Sequence, residues 1–122
     1  MRVLVCGDRN WESSSLILGE LAGLPGDSVI IHGGCSGADC LAGAIARNIG
    51  LRVEIFPAQW ERHGRAAGPI RNKQMIVKGR PDKVLAFHND IRKSKGTKDV
   101  VQKARAVGIP VKIITEDGEE AK

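Results

Sequence analysis

The chain has 122 residues, of which 42% are hydrophobic and 27% charged, and it carries a formal net charge of +5. This is the composition of one globular domain with room for a core; it excludes a disordered chain, and no apolar run is long enough to span a membrane. The positive balance favours an anionic partner: a nucleotide, a nucleic acid or another phosphate ester. The chain opens directly on a strand-like run rather than on a signal peptide, so a cytoplasmic location is expected. Its three cysteines are expected to be reduced. His32, Cys35 and Cys40 match no usual zinc spacing, and neither a metal nor a cofactor is expected.

Taken in order, strands and helices alternate. Residues 2–7 read as a buried strand ending at Gly7, followed by the loop Asp8-Arg9-Asn10-Trp11. A helix is expected over 13–24, with Leu16, Ile17, Leu21 and Leu24 on one face. Residues 28–32 form the second strand, 38–48 the second helix and 51–55 the third strand. The stretch 56–68 reads as irregular, and Pro69 suits the first position of a helix reaching to about Lys78. Residues 83–88 form the fourth strand, and 89–96 a polar loop with Arg92, Lys93 and Lys95. Thr97 can N-cap a helix to Val107. Residues 110–115 form the fifth strand. Residues 1–115 are thus read as one domain and 116–122 as a frayed acidic tail.

Alternating strands and helices predict a three-layer α/β/α fold around a parallel sheet, Rossmann-like in type. Strands one, two and four are nearly continuous apolar runs, as central strands require. Strand three alternates apolar and charged residues, and strand five contains Lys112, so both suit edges. Right-handed crossovers then favour the order 3-2-1-4-5 for a five-stranded sheet, with a ligand crevice between strands one and four.

The stretch Ile31-His32-Gly33-Gly34-Cys35-Ser36-Gly37-Ala38-Asp39 links a strand to a helix through three glycines. Free N–H groups and a helix dipole at such a turn favour a phosphate. A simple turn closed by a Ser36/Asp39 capping box is the structural alternative. No Walker A or Gly-x-Gly-x-x-Gly pattern occurs. Gly33, Gly34, Ser36 and Gly37 are the candidate phosphate donors; Asp39 suits a ribose hydroxyl or the helix cap. Arg9 can clamp a phosphate, and Asp8 can hold Arg9 or a ribose. Gly96 and Thr97 offer a second grip at another helix N-terminus, or a plain N-cap. Trp11 and Trp60 can stack on a base, although a Trp at the position of Trp11 is more often core than platform. His88 ends strand four at the crevice and can act as acid or base, or be a satisfied structural histidine.

Several motifs together resemble the SLOG superfamily, closest to its YspA-like branch. They are Gly7-Asp8-Arg9-Asn10-Trp11, His32-Gly33-Gly34 with Gly37-Ala38-Asp39, Pro57-Ala58-Gln59-Trp60, residues 64–72 with Met75, Ala86-Phe87-His88 and Gly96-Thr97-Lys98-Asp99. The superfamily includes LOG-type phosphoribohydrolases, the DNA-binding protein DprA and domains proposed to sense nucleotide derivatives. The resemblance implies a Rossmann-like fold, a nucleotide-type ligand, Arg71 and Asn72 facing that ligand, and a homodimer. Two departures stand out. Val100 occupies the position of the LOG-type catalytic Glu, with Asp99 one residue early and roughly 100° round a helix. Ser36 stands where relatives of the branch often carry Arg.

The leading expectation is a nucleotide-binding sensor or regulatory domain with Gly7, Arg9, Trp11, Gly33, Gly34, Ser36, Gly37, Asp39, Arg71, Asn72, Gly96 and Thr97 at the ligand. A hydrolase cleaving an N-glycosidic or phosphate bond is the alternative, with Asp8, His88 and Asp99 as candidate catalytic groups. Single-stranded nucleic-acid binding comes third, because such grooves interleave basic residues with several aromatics and this chain has few.

Overall fold

The computed structural model describes residues 1–121. Five strands are parallel: β1 (Arg2–Gly7), β2 (Val29–His32), β3 (Arg52–Ile55), β4 (Lys83–Phe87) and β5 (Val111–Ile114). A sixth, β6 (Glu120–Ala121), pairs antiparallel with β5. The sheet order is β3-β2-β1-β4-β5-β6, so the expected order of the parallel strands holds.

The acidic tail departs from expectation. Thr115 and Gly118 close a turn, with the Gly118 N–H donating to the Thr115 carbonyl at 2.9 Å and the Thr115 N–H to the Glu119 carbonyl at 3.0 Å. The turn brings residues 120 and 121 back against Ile114 and Ile113, and β5 is therefore not an edge. Lys112, which suggested an edge, pairs instead with Glu20 at 2.8 Å.

The period-2 alternation of β1 sends its side chains to two cores. Val3 and Val5 join the layer built by α1 (Ser14–Ala22) and α2 (Ala38–Asn48). Leu4 and Cys6 join the layer built by α4 (Ala67–Val77) and α5 (Lys95–Ala106). Before α4, the stretch expected to be irregular holds a short helix, α3 (Trp60–His63), and a 3-10 turn, Gly64–Ala66. Pro69 is consequently the third residue of α4, still within the first turn, where its missing N–H has no intrahelical partner to lose. None of the helices is long and apolar enough to cross a membrane.

Two further expectations are corrected. Ser94, not Thr97, caps α5: its Oγ accepts the Thr97 N–H at 3.2 Å. Trp11 is no stacking platform. It is 2% exposed, its ring centroid lies 5.5 Å from that of Phe87, and its Nε1–H donates to the Ser13 carbonyl at 2.9 Å. The indole thereby fills the core under the loop after β1 with its one polar atom satisfied.

Truncation of so large a buried ring leaves a cavity as well as losing its transfer free energy. Trp11→Ala is expected to destabilise the fold by about 3–5 kcal/mol in urea denaturation. A loss below about 1 kcal/mol would contradict the core role, being the size of a surface substitution.

Candidate functional site: a cavity at the carboxyl ends of β1 and β4

The loops after β1 and β4 diverge where the chain order of the sheet reverses, and the space between them is a cavity of about 560 Å³. That lies within the usual range for small-molecule sites, about 300–1,000 Å³. Cys6, Met75 and Val100 supply apolar surface to it; Gly7, Asp8, Arg9 and Asn10 line it from the loop after β1. Asp39, Arg71, Asn72 and His88 contribute from α2, α4 and the end of β4, and Lys93 to Thr97 from the start of α5.

Arg71 is buried, at 8% exposure. Its Nη1 donates to the Gly33 carbonyl at 2.6 Å and at longer range to that of Phe56, 3.5 Å away; its Nε donates to Asn72 Oδ1 at 2.9 Å. Its Nη2 lies 3.6 Å from the Cys35 sulfur. A Cβ on Gly33 would stand 2.7 Å from the guanidinium carbon, so a side chain here would shift Arg71 from its present bonds. Asn72 in turn donates through Nδ2 to Asp99 Oδ2 at 2.9 Å, and the other Asp99 oxygen pairs with Lys103. Asp99 is therefore latched between two helices and does not line the cavity.

In the glycine-rich turn, Gly33, Gly34 and Cys35 direct their N–H groups to acceptors within the chain, while those of Ser36 and Gly37 have no partner among the described residues. Gly33 donates to Asp39 Oδ2 at 2.9 Å, Cys35 approaches the same oxygen at 3.5 Å, and Gly34 donates to His32 Nδ1 at 3.0 Å. The phosphate cradle expected at Gly33 and Gly34 is thus filled by the chain's own carboxylate and imidazole. Nor does Asp39 close a capping box with Ser36: the N-cap of α2 is Gly37, without a side-chain cap bond. Gly37 has φ of 74°, and a Cβ on it would collide with the backbone of Asp8 and Arg9, so two loops meet at this point. Ser36, Gly37 and Trp11 border a second depression beside the cavity instead of lining it.

At the cavity itself, two turns offer unpaired donors. At α5, Ser94 Oγ accepts the Thr97 N–H and the Ser94 carbonyl accepts that of Lys98. The N–H groups of Lys95 and Gly96 have no partner among the described residues. At the end of β4, His88 is 8% exposed and its Nδ1 accepts the Asp90 N–H at 2.9 Å. In the neutral ring that bond places the proton on Nε2, which has no partner among the described residues.

The cavity therefore gathers Gly7, Arg9, Asp39, Arg71, Asn72, Gly96 and Thr97, along with Asp8 and His88. Sequence reasoning missed Asn10, Cys35 and Ser94 as lining residues and left Lys93 and Lys95 in a generic polar loop. The signal for Ser94 was available: a serine three residues before a backbone N–H at a helix start is a good N-cap.

A family model described as "YspA, cpYpsA-related SLOG family" matches residues 1–63, which hold β1, β2 and both of their loops. The Gene 61 protein of Mycobacterium phage D29 is 38% identical over 119 residues, covering 90% of this chain and 93% of that protein. That likeness extends over α4 and α5, which complete the cavity.

Burial pushes Asp39 up to about 6, against the pull of the Gly33 and Cys35 N–H groups and of Arg71. Burial likewise pushes His32 down to about 4, aided by Arg47 and Arg71. The two oppose each other in acid. With its folded pKa above the unfolded value of 3.8, Asp39 adds stability as pH falls from about 6 to 4. With its folded pKa below the unfolded value of 6.5, His32 removes stability as pH falls over nearly the same window. Asp39→Asn should therefore lose stability more steeply than the parent between pH 6.5 and 4, by up to about 3 kcal/mol if the whole Asp39 contribution is removed. Denaturation midpoints across that range test it; parallel profiles for the two proteins would exclude a buried, shifted Asp39.

Proposed function

Because the chain belongs to the YspA, cpYpsA-related SLOG family, we propose that it binds a nucleotide or nucleotide derivative in this cavity, as a sensing or regulatory domain. The observation that carries the reading is the open N-terminus of α5. Its unpaired Lys95 and Gly96 N–H groups attract an anion together with the helix dipole. Lys93, Lys95 and Arg9 add positive charge around the same cavity. Gly96 has open space where its Cβ would be, so a phosphate can approach the backbone closely.

Binding is favoured over turnover. Val100, in the position of the LOG-type carboxylate, is 2% exposed on the cavity wall, and Asp99 is held by Asn72 and Lys103. His88 presents a proton donor in its neutral form, because Nδ1 already accepts the Asp90 N–H. It suits holding an oxygen better than removing a proton. Asp8 remains the one candidate carboxylate of the hydrolytic alternative that lines the cavity, and its Oδ1 accepts the Asn10 N–H at 2.9 Å.

Native mass spectrometry with a panel of nucleoside mono- and diphosphates tests the reading. At least one nucleotide should bind the parent protein. Gly96→Asp, which puts a carboxylate at the anion site, should weaken it about tenfold or more with an unchanged far-UV spectrum. Failure of every nucleotide to bind would overturn the proposal.

A further inference from the structure

We propose that the outer face of α4 and α5 docks on the phosphate backbone of a double-stranded nucleic acid. This surface lies outside the cavity, and the proposal adds a partner to the ligand reading above without depending on it.

The charge of the chain is unevenly divided. Residues 64–80 hold five arginines and lysines and no carboxylate, and residues 91–106 hold six and the single carboxylate of Asp99. These two segments therefore carry eleven of the nineteen arginines and lysines but one of the fourteen acidic residues. Residues 8–28, around α1, hold four carboxylates and one cation. Folding keeps the two sets apart, because α4 and α5 pack side by side over one face of the sheet, and α1 with α2 over the other. A modest net charge of +5 is thus gathered into one strongly positive layer.

Little of that charge is spent within the chain. Asp99 is held by Asn72 and Lys103, Arg71 is buried among its own bonds, and Arg92 pairs with Asp90. Lys73, Lys78 and Arg80, on α4 and just past it, and Lys95, Lys98 and Arg105, on α5, are exposed. None of these six has a carboxylate partner among the described residues. At 1.5 Å per residue, α4 and α5 are about 16 and 18 Å long. A duplex carries one charge per about 1.7 Å of its axis, so a face of this length can meet several phosphates.

The chemistry of the face favours a duplex over other polyanions. Grooves for single strands interleave cations with a row of stacking rings. Neither α4 nor α5 contains an aromatic residue, and the exposed Trp60 stands alone on α3. A helix lying on an anionic membrane sinks Trp, Phe or Leu between the headgroups. The large apolar side chains that α4 and the end of α5 expose are Val77 and Val107. A duplex stacks its bases on one another and asks of a sequence-independent partner only cations for its phosphates.

Fluorescence anisotropy of the full chain with labelled DNA duplexes of two unrelated sequences tests the proposal. Both should bind with similar affinity, and log K should fall with log salt between about 50 and 200 mM with a slope of about −3 to −5. Lys73→Ala and Lys98→Ala should each reduce the steepness of that slope by about one. Arg105→Glu should weaken binding about fivefold or more, whereas Arg47→Glu, the same change in net charge on α2, should weaken it less than about twofold. Lys73, Lys98 and Arg105 do not line the cavity, so these variants should keep the nucleotide affinity of the parent, and circular dichroism checks their fold. Absence of duplex binding at about 50 mM salt would overturn the proposal and leave the nucleotide reading standing. Equal losses from Arg47→Glu and Arg105→Glu would also overturn it, as would tighter binding of a single strand, or binding of phosphatidylserine vesicles in place of the duplex.

Discussion

The Arg71 guanidinium joins segments that reach the cavity from different directions. From α4 it bonds to the carbonyl of Gly33 after β2, lies near that of Phe56 after β3, and orients the amide of its neighbour Asn72. A buried cation without partners would cost several kcal/mol, and this one is tolerable because each of its nitrogens meets an acceptor or a sulfur. Its orientation has consequences on both sides. A side chain at Gly33 would push on the guanidinium, and Asn72 is turned so that its Nδ2 reaches Asp99 on α5. The helix whose N-terminus faces the cavity is thereby latched to the helix that supports the β2 loop.

The second organising feature is a competition for backbone donors. Two turns at the carboxyl edge of the sheet offer N–H groups, and both have the local chemistry of an anion site. In the β2 turn the Asp39 carboxylate and the His32 ring take the donors of Gly33 and Gly34. At α5, Ser94 takes those of Thr97 and Lys98 and leaves two free. The internal carboxylate also stands near the positive charge of Arg71. The first donors of the β2 turn thus serve the fold, and the start of α5 keeps two donors unpaired at the cavity.

Much of the architecture was legible in the residue pattern. The continuous apolar runs of β1, β2 and β4, and the Arg52-Val53-Glu54-Ile55 alternation of β3, were enough to order the parallel strands. β6 was not legible, because two residues in an acidic segment carry no periodicity; they pair only because the Thr115–Gly118 turn points them back at β5. Within the cavity, the motif loops converged as the sheet order required. The fates of individual groups did not follow from the motifs: Trp11 went into the core, Asp99 was latched to Asn72, and the Gly33 and Gly34 donors were consumed.

The difference has a physical basis in sequence distance. Strand and helix periodicity, turn glycines and the positive charge balance act over a few residues or over the whole composition, so the sequence by itself determined the α/β fold, the parallel order and the place of the crevice. Which polar groups remain free depends on partners brought together only by folding. Arg71 and Gly33 are 38 residues apart in the chain, and Asn72 and Asp99 are 27 apart. Only the tertiary structure decided that the Gly33 and Gly34 donors would meet Asp39 and His32 while those of Lys95 and Gly96 stayed open, because a buried N–H bonds to whichever acceptor packing brings within reach.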